Sequence, residues 1–552
     1  MHRFLTLLIA LVFISGCAAP RPFVITVIGT NDVHGELLPR NGEGGLVTFS
    51  AYVDALRAAR DKDGGAVILI DAGDMWQGTL ESNTSEGATM VEAYNALGYA
   101  AIAVGNHEFD FGPAGPLAVP KSPDDDPQGA LKQRAAEADF PFLAANLIDT
   151  TTGETVQWPN VHPSVLLDVQ GVQVGIVGVM TKNALARTIA ANTVGLSIAP
   201  LSETVEKEAR SLRDAGATII LVSAHAGGAC SEFDDPSDTS SCFSESEIFQ
   251  LANSLPAGLV DYLLAGHTHN GIAHIVNGIA VSESYSRARA FSRIDLQVDR
   301  KTGKPAATKI FAPRPTTQES SYEGQEFLLA PEVVAIAAKA AAIAADVKQQ
   351  KIGIRLKTPF ELSKNPESAL GNLYTDALLA SVDADISIHR TNSMIRANLP
   401  AGDLTMGSLY EMAPFENQIT VIELSGSELR QVIALQADNG RFRVDFSGMQ
   451  VRVECVDRQY SIAMTLASGR EIADTDTVSI AVADYLALGG DDVFTTIMPE
   501  GGYELQRNAP LVRDAIVTFL RERGGSISVS DFSSEDDPKW TLPDNLDTEC
   551  RL

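Results

Sequence analysis

The sequence predicts an α/β protein of two domains joined by a helix, and three observations predict it. Short apolar, β-branched runs alternate with amphipathic stretches from residue 23 to about 310, the pattern of strands covered by helices. An alanine-rich stretch at 331–349 favours one long helix. A second strand-and-helix pattern fills 353–552. With 552 residues the chain is too long for one ordinary core, and 45% hydrophobic residues are enough to fill more than one.

The first segment, 1–17, reads as an export signal outside the fold. His2 and Arg3 precede an apolar run at 4–14 that is too short to span a bilayer comfortably. Ile14-Ser15-Gly16-Cys17 follows, with Ala18 and Ala19 after it. This looks like a bacterial lipobox, in which Cys17 is lipidated and becomes the mature N-terminus. The other reading is a plain secretory signal with an incidental cysteine. The expectation is an exported protein of the periplasm or outer membrane, touching the membrane only through a lipid anchor at Cys17. Export also bears on Cys230, Cys242, Cys455 and Cys550, an even number that suggests disulfides. Cys230 and Cys242 flank a polar Asp/Ser-rich loop and are paired; Cys455 with Cys550 follows by elimination.

The first domain is placed at 23–325. Its strands are read at 23–28, 67–70, 101–104, 172–179, 219–222 and 260–264, with helices at 47–60, 91–97 and 203–215 between them. The stretch 113–133, rich in Pro, Asp and Gly, reads as a surface loop. A polar, proline-containing stretch at 313–324 marks the boundary before the linker helix, placed at 326–352. The second domain is placed at 353–552.

Five apolar strands end in turns that carry polar residues. These are Asn31-Asp32-Val33-His34-Gly35, Asp71-Ala72-Gly73-Asp74, Gly105-Asn106-His107-Glu108 with Asp110 beyond, Ser223-Ala224-His225, and Gly266-His267-Thr268-His269. Ligand sites in α/β sheets gather at the carboxyl ends of strands, so the five turns can converge on one pocket. Singly, a strand-end Asp or His is an ordinary cap or turn residue. Jointly, five of the nine histidines fall in these turns, which a scatter of structural histidines would not produce. Imidazoles mixed with carboxylates suit Zn, Mn or Fe rather than Ca. The net charge of −29 repels polyanions and argues against a nucleic-acid polymer as partner. A small anionic substrate would need local positive charge from metals or arginines.

In this order, Asp-x-His, Gly-Asp, Gly-Asn-His-Glu, His and Gly-His-x-His resemble the calcineurin-like metallophosphoesterases. The two-domain layout is similar to the 5'-nucleotidase family. That resemblance implies a four-layer αββα metallophosphoesterase-like domain, the linker, and a second α/β substrate-binding domain. It implies two divalent metal ions (Zn, Mn or similar) bridged by Asp74, one held by Asp32, His34 and His269 and the other by Asn106, His225 and His267. His107 matches the family's catalytic histidine and Asp110 the acid that orients it; Glu108 reads as structural. The implied reaction is removal of phosphate from a small-molecule nucleotide by metal-activated water. Alternatives on the same site are a UDP-sugar hydrolase or a 2',3'-cyclic-nucleotide phosphodiesterase, and, from another class, a non-catalytic surface binding protein.

In the second half, Leu370-Gly371-Asn372-Leu373-Tyr374-Thr375-Asp376-Ala377, Pro414-Phe415-Glu416-Asn417, Phe446-Ser447-Gly448-Met449 and Asp484-Tyr485-Leu486-Ala487-Leu488-Gly489-Gly490-Asp491 resemble family landmarks. The resemblance implies an aromatic sandwich for the nucleobase at Phe442 (with Phe446 as competitor) and Tyr485. It also implies phosphate binding at Arg396 and further substrate contacts at Asp491, Asn372 and Lys364. Two positions depart from the family pattern. Thr391-Asn392-Ser393-Met394 replaces a glycine-rich loop, and Lys364 stands where Arg is common, keeping the charge but losing the planar fork. A hinge motion carrying the nucleotide to the metals is also implied, and the linker helix fits that role.

Overall fold

The computed structural model describes residues 23–542 except 116, 364–366, 392, 439–440, 457–458, 500–501, 504, 507–508 and 534–537. The expected signal at 1–17 with Cys17, as well as Lys364, Cys550 and the side chain of Phe442, lie outside the described residues. Among the described residues no helix is long and apolar enough to cross a membrane.

Two sheets pack face to face in the N-terminal half. The seven-stranded sheet runs Pro305–Pro315, Ala290–Val298, Phe23–Thr30, Ala66–Asp71, Ala101–Ala103, Phe142–Leu143, Val161–His162. The six-stranded sheet runs Gly271–Val276, Ile279–Ser284, Tyr262–Ala265, Ile219–His225, Val172–Met180, Ser164–Val169. Ile25, Val27 and Ile70 of the first interdigitate with Val174, Leu221 and Leu264 of the second. Helices Leu46–Asp63 and Ala88–Leu97 cover the outer face of the first sheet. Leu201–Asp214 and Glu247–Ser254 cover the second. The layers are therefore α, β, β, α. The central strands read as continuous apolar runs because both of their faces are buried. Leu201–Asp214 instead buries Leu201, Val205, Ala209 and Leu212, one stripe at helical spacing.

The central strands pair in parallel within each sheet: Phe23–Thr30 with Ala66–Asp71 and on to Ala101–Ala103, and Val172–Met180 with Ile219–His225 and on to Tyr262–Ala265. Parallel pairing puts their carboxyl ends, and hence all five polar turns, on one edge of the sandwich. The sequence reading misses most of the antiparallel edge strands, such as Gly271–Val276 and Ser164–Val169, and the expected loop at 113–133 ends in helix Gly129–Glu137. There Ala130, Leu131 and Ala135 pack into the core and override the polar composition.

Helix Pro331–Gln349 opens with Pro331 at its first position and buries Val333, Ala337, Ala340 and Ala344. Val333, Ala337 and Ala340 belong to the N-terminal core, and Lys348 near the helix end pairs with Glu81. The C-terminal half has a four-stranded sheet, Ile419–Ser425, Thr477–Ala483, Ile386–Arg390, Val444–Ser447. Two three-stranded sheets and helices Ala369–Ser381 and Val512–Arg523 complete it around two cores. Cys230 and Cys242 form a disulfide, and Cys455 is disulfide-bonded.

Candidate active site

The five turns meet. Backbone bonds lace the first two together: Asp32 N–H to the Gly73 carbonyl, His34 N–H to that of Asp74 and Gly35 N–H to that of Met75, each 2.9 Å. Glu108 ties in the third turn. Its carboxylate accepts from the backbone N–H of Asp74 (2.8 Å), Met75 (2.8 Å) and Gly105 (2.6 Å). This clamp requires glycine at 105, because a Cβ there would collide with Asp74 Oδ1. Asp32, His34, Asp74, His267 and His269 have φ of 51°, 51°, 59°, 77° and 56°. Left-handed backbone costs a non-glycine residue about 1 kcal/mol or more, so five strained residues in one site mark it as held there by its surroundings.

Two donor groups result, Asp32 with His34 and His269, and Asp74 with His225 and His267, the ligating atoms of each lying within 4.8 Å of one another. Their chemistry fits a divalent cation. His34 Nδ1 donates to the Gln77 carbonyl (2.8 Å), which leaves Nε2 as a lone pair, and that nitrogen faces His269 Nε2 at 3.0 Å. Asp32 Oδ1 lies 3.3 Å from the same His269 nitrogen. His225 Nδ1 donates to the Ala72 carbonyl (2.8 Å), and its Nε2 faces Asn106 Oδ1 (2.9 Å), His267 Nδ1 (3.1 Å) and Asp74 Oδ2 (3.2 Å). Acceptors that face acceptors need a cation between them, and mixed imidazole, carboxylate and amide oxygen suits a divalent transition metal. The ionisation of the groups agrees. Burial would raise Asp32 and Asp74, but the imidazoles beside them (His269 for Asp32, His225 and His107 for Asp74) hold both below the usual carboxylate range. Burial and His269 push His34 down to about 3; burial and His225 push His267 down to about 3. His225 is the exception: burial opposes a charge on it, yet Asp74 pushes it up to about 10, so its Nε2 holds a proton shared with Asp74 that a bound ion would have to displace.

His107 stands beside these groups. Its N–H donates to Asp74 Oδ1 (2.8 Å), and its Nδ1 to Asp110 Oδ2 (2.7 Å). Burial lowers its pKa, but Asp110 and Asp74 outweigh that and push it up to about 9. Thr188, absent from the sequence reading, donates to Asp110 Oδ1 (2.7 Å) and so occupies the second carboxylate oxygen.

A cavity of about 280 Å³ opens from this edge between the two halves. Arg396, Tyr485 and Asp491 line it from the C-terminal half, together with Phe415. The Arg396 guanidinium lies over the Phe415 ring, 5.2 Å from its centre, and that ring is 5.9 Å from the His107 ring. Tyr485 OH reaches Asp491 Oδ1 at 3.4 Å. Asn372 is not brought to the cavity. It is 1% exposed, and its amide donates to Glu367 Oε1 (3.1 Å) and the Phe532 carbonyl (2.7 Å). Phe446 is core, packed on Trp540 at 4.9 Å. Two cavity residues that the sequence reading left without a role are Phe415 and Arg187. The signal for Phe415 was present in Pro414-Phe415-Glu416-Asn417; Arg187 sits in an irregular segment with none.

A family model for the calcineurin-like phosphoesterases matches residues 25–271, and one for the 5'-nucleotidase C-terminal domain matches 345–498. The chain belongs to the 5'-nucleotidase family. As a member of it, the protein is a metal-dependent phosphoric ester hydrolase. It is 24% identical to Protein UshA of Yersinia enterocolitica over 88% of this chain and 90% of the relative, and 22% identical to a 5'-nucleotidase of Vibrio cholerae over 94% and 95%. The crystal structure of a 5'-nucleotidase precursor from Thermus thermophilus superposes with a TM-score of 0.66 at 22% identity, covering 95% of this chain and 100% of that one, and shares the fold of this family member.

Proposed function

We propose that this protein is an exported, two-metal phosphohydrolase that removes phosphate from nucleotides. One observation carries the reading: the two donor groups and the His107–Asp110 pair open into the same cavity as Arg396, Phe415 and Tyr485. The similarity to proteins named UshA and 5'-nucleotidase supports it, and the Cys230–Cys242 disulfide supports export.

Asp32, His34 and His269 would hold one ion, and Asn106, His225 and His267 the other, with Asp74 shared. Ions bound there supply Lewis-acid charge for the phosphoryl oxygens and lower the pKa of water at neutral pH. The chain's own groups do the rest. His107, with Nδ1 engaged by Asp110, offers a protonated Nε2 to a phosphoryl or leaving-group oxygen, where negative charge grows. Arg396 holds a phosphate by charge-assisted hydrogen bonds. Phe415 and Tyr485 flank the base, and aromatic faces accept any base with little discrimination. Asp491 has one buried carboxylate oxygen without a partner among the described residues and would accept from a ribose hydroxyl.

The test is a panel of AMP, ADP, UDP-glucose and 2',3'-cyclic AMP with the folded protein loaded with Mn²⁺ or Zn²⁺, scored by phosphate release. Turnover of AMP or ADP is the expected result. Hydrolysis of the cyclic ester alone, or of none, would overturn the proposal.

A further inference from the structure

Arg187 closes the turn Ala184–Arg187 of the N-terminal half, and its backbone is pinned on both sides of the side chain. Its carbonyl accepts from Asn106 Nδ2 (2.9 Å), and the next residue, Thr188, donates to Asp110. The guanidinium itself has no structural task in the ion-pair network. Among the described residues no carboxylate lies within ion-pair distance of Arg187 or of Arg396, though both line the cavity. The chain has 71 acidic and 42 basic residues. The cavity also carries Asp74, Asp110 and Asp491, but the first two face the imidazoles of the site, so two guanidiniums without an ion-pair partner among the described residues remain to attract anions. They come from different halves of the molecule. Arg396 lies over Phe415, while the charge of Arg187 reaches Tyr485 and His267. Arg187 therefore stands on the path between the donor groups and the aromatic slot.

We infer that Arg187 is a specificity-determining residue that holds a second phosphate, so that the site favours nucleotides with a diphosphate over monophosphates. The inference rests on the nucleotide reading above. A monophosphate at the donor groups satisfies the ions, His107 and one guanidinium and leaves the other without an anion. A diphosphate satisfies both, and the planar fork of each can bind two oxygens of one phosphate.

The test compares wild type with Arg187→Gln and Arg187→Lys, all loaded with Mn²⁺. KM and kcat are measured for AMP and ADP, and affinity for inorganic phosphate and inorganic diphosphate is measured by calorimetry. Both variants keep the backbone carbonyl that Asn106 uses, and metal content and melting temperature verify this. Arg187→Gln is expected to raise KM for ADP roughly ten-fold or more, and that for AMP by a much smaller factor. Diphosphate affinity should fall in parallel, phosphate affinity should change little, and Arg187→Lys should lie between. Equal factors for AMP and ADP, or no change in diphosphate affinity, overturn the inference while leaving nucleotide hydrolysis in place. A wild type that leaves both nucleotides intact, yet binds diphosphate through Arg187, overturns the functional reading and keeps the anion clamp.

Discussion

Asp110 has two oxygens and spends both on positioning, one on His107 and one on Thr188. His107→Ala should lower kcat roughly a hundred-fold or more with metal content unchanged. Thr188→Val frees Asp110 to rotate and should lower kcat roughly ten-fold with KM little altered, and Thr188→Ser should restore it. A Val variant with wild-type kcat would confine Thr188 to packing. Away from the site, Asp445 is buried with one oxygen lacking a partner among the described residues, while Thr391 donates to the other (2.8 Å). Burial pushes its pKa up to about 7, with hydrogen bonding from Thr391 working the other way. A carboxyl raised above its unfolded value favours the folded state while protonated, so this contribution is complete below about 4 and is lost as pH rises to about 7. Asp445→Asn, of the same shape and always neutral, should gain melting temperature over wild type across that interval and hold the gain above it. Thermal melts from pH 4 to 8 showing a constant difference would refute this.

The glycines matter at the level of the turn. Gly105 lets strand Ala101–Ala103 end against Asp74, and Glu108 then bonds three N–H groups from two turns. Gly105→Ala should therefore displace Asp74 and weaken metal binding roughly ten- to hundred-fold, read by titration with a competing chelator; unchanged affinity would mean that the clamp tolerates a methyl group. Such elements also show what was legible in the chain. Strands buried on both faces announce themselves as apolar runs, and a polar turn after each stands out against them, which is why Asp32, Asp74, Asn106, His225 and His267 could be picked out together. Edge strands and irregular segments carry no such contrast. Arg187 and Thr188 lie where no period operates, and their importance arises only from what they touch. Asn372 shows the reverse case: a motif residue whose amide the structure commits to Glu367 and Phe532, outside the cavity lining.

Across the whole molecule, the donor groups and His107 all belong to the N-terminal half, whereas Arg396, Phe415 and Tyr485 belong to the other. Neither half alone encloses the cavity, and no periodicity reports how two halves meet; the sequence reading weighed Phe442 against Phe446, and only that contact puts Phe415 on the cavity. Chemistry and recognition should then be separable by loosening the connection. The Gln77 amide donates to the Pro414 carbonyl (2.6 Å) across the boundary, and Lys348 pairs with Glu81 where the linker helix ends. Lys348 is 41% exposed, so this pair contributes about 1 kcal/mol or less, and the hinge motion between open and closed arrangements that the family resemblance implies would be biased by a change of that size. Lys348→Glu places like charges at that joint and should shift the molecule toward the open arrangement. KM for ADP should rise several-fold, the radius of gyration with bound nucleotide should increase, and hydrolysis of a small ester such as p-nitrophenyl phosphate, which needs only the N-terminal half, should persist at its wild-type rate. Equal losses on both substrates would mean that the linker contact supports the donor groups themselves rather than the approach of one half to the other.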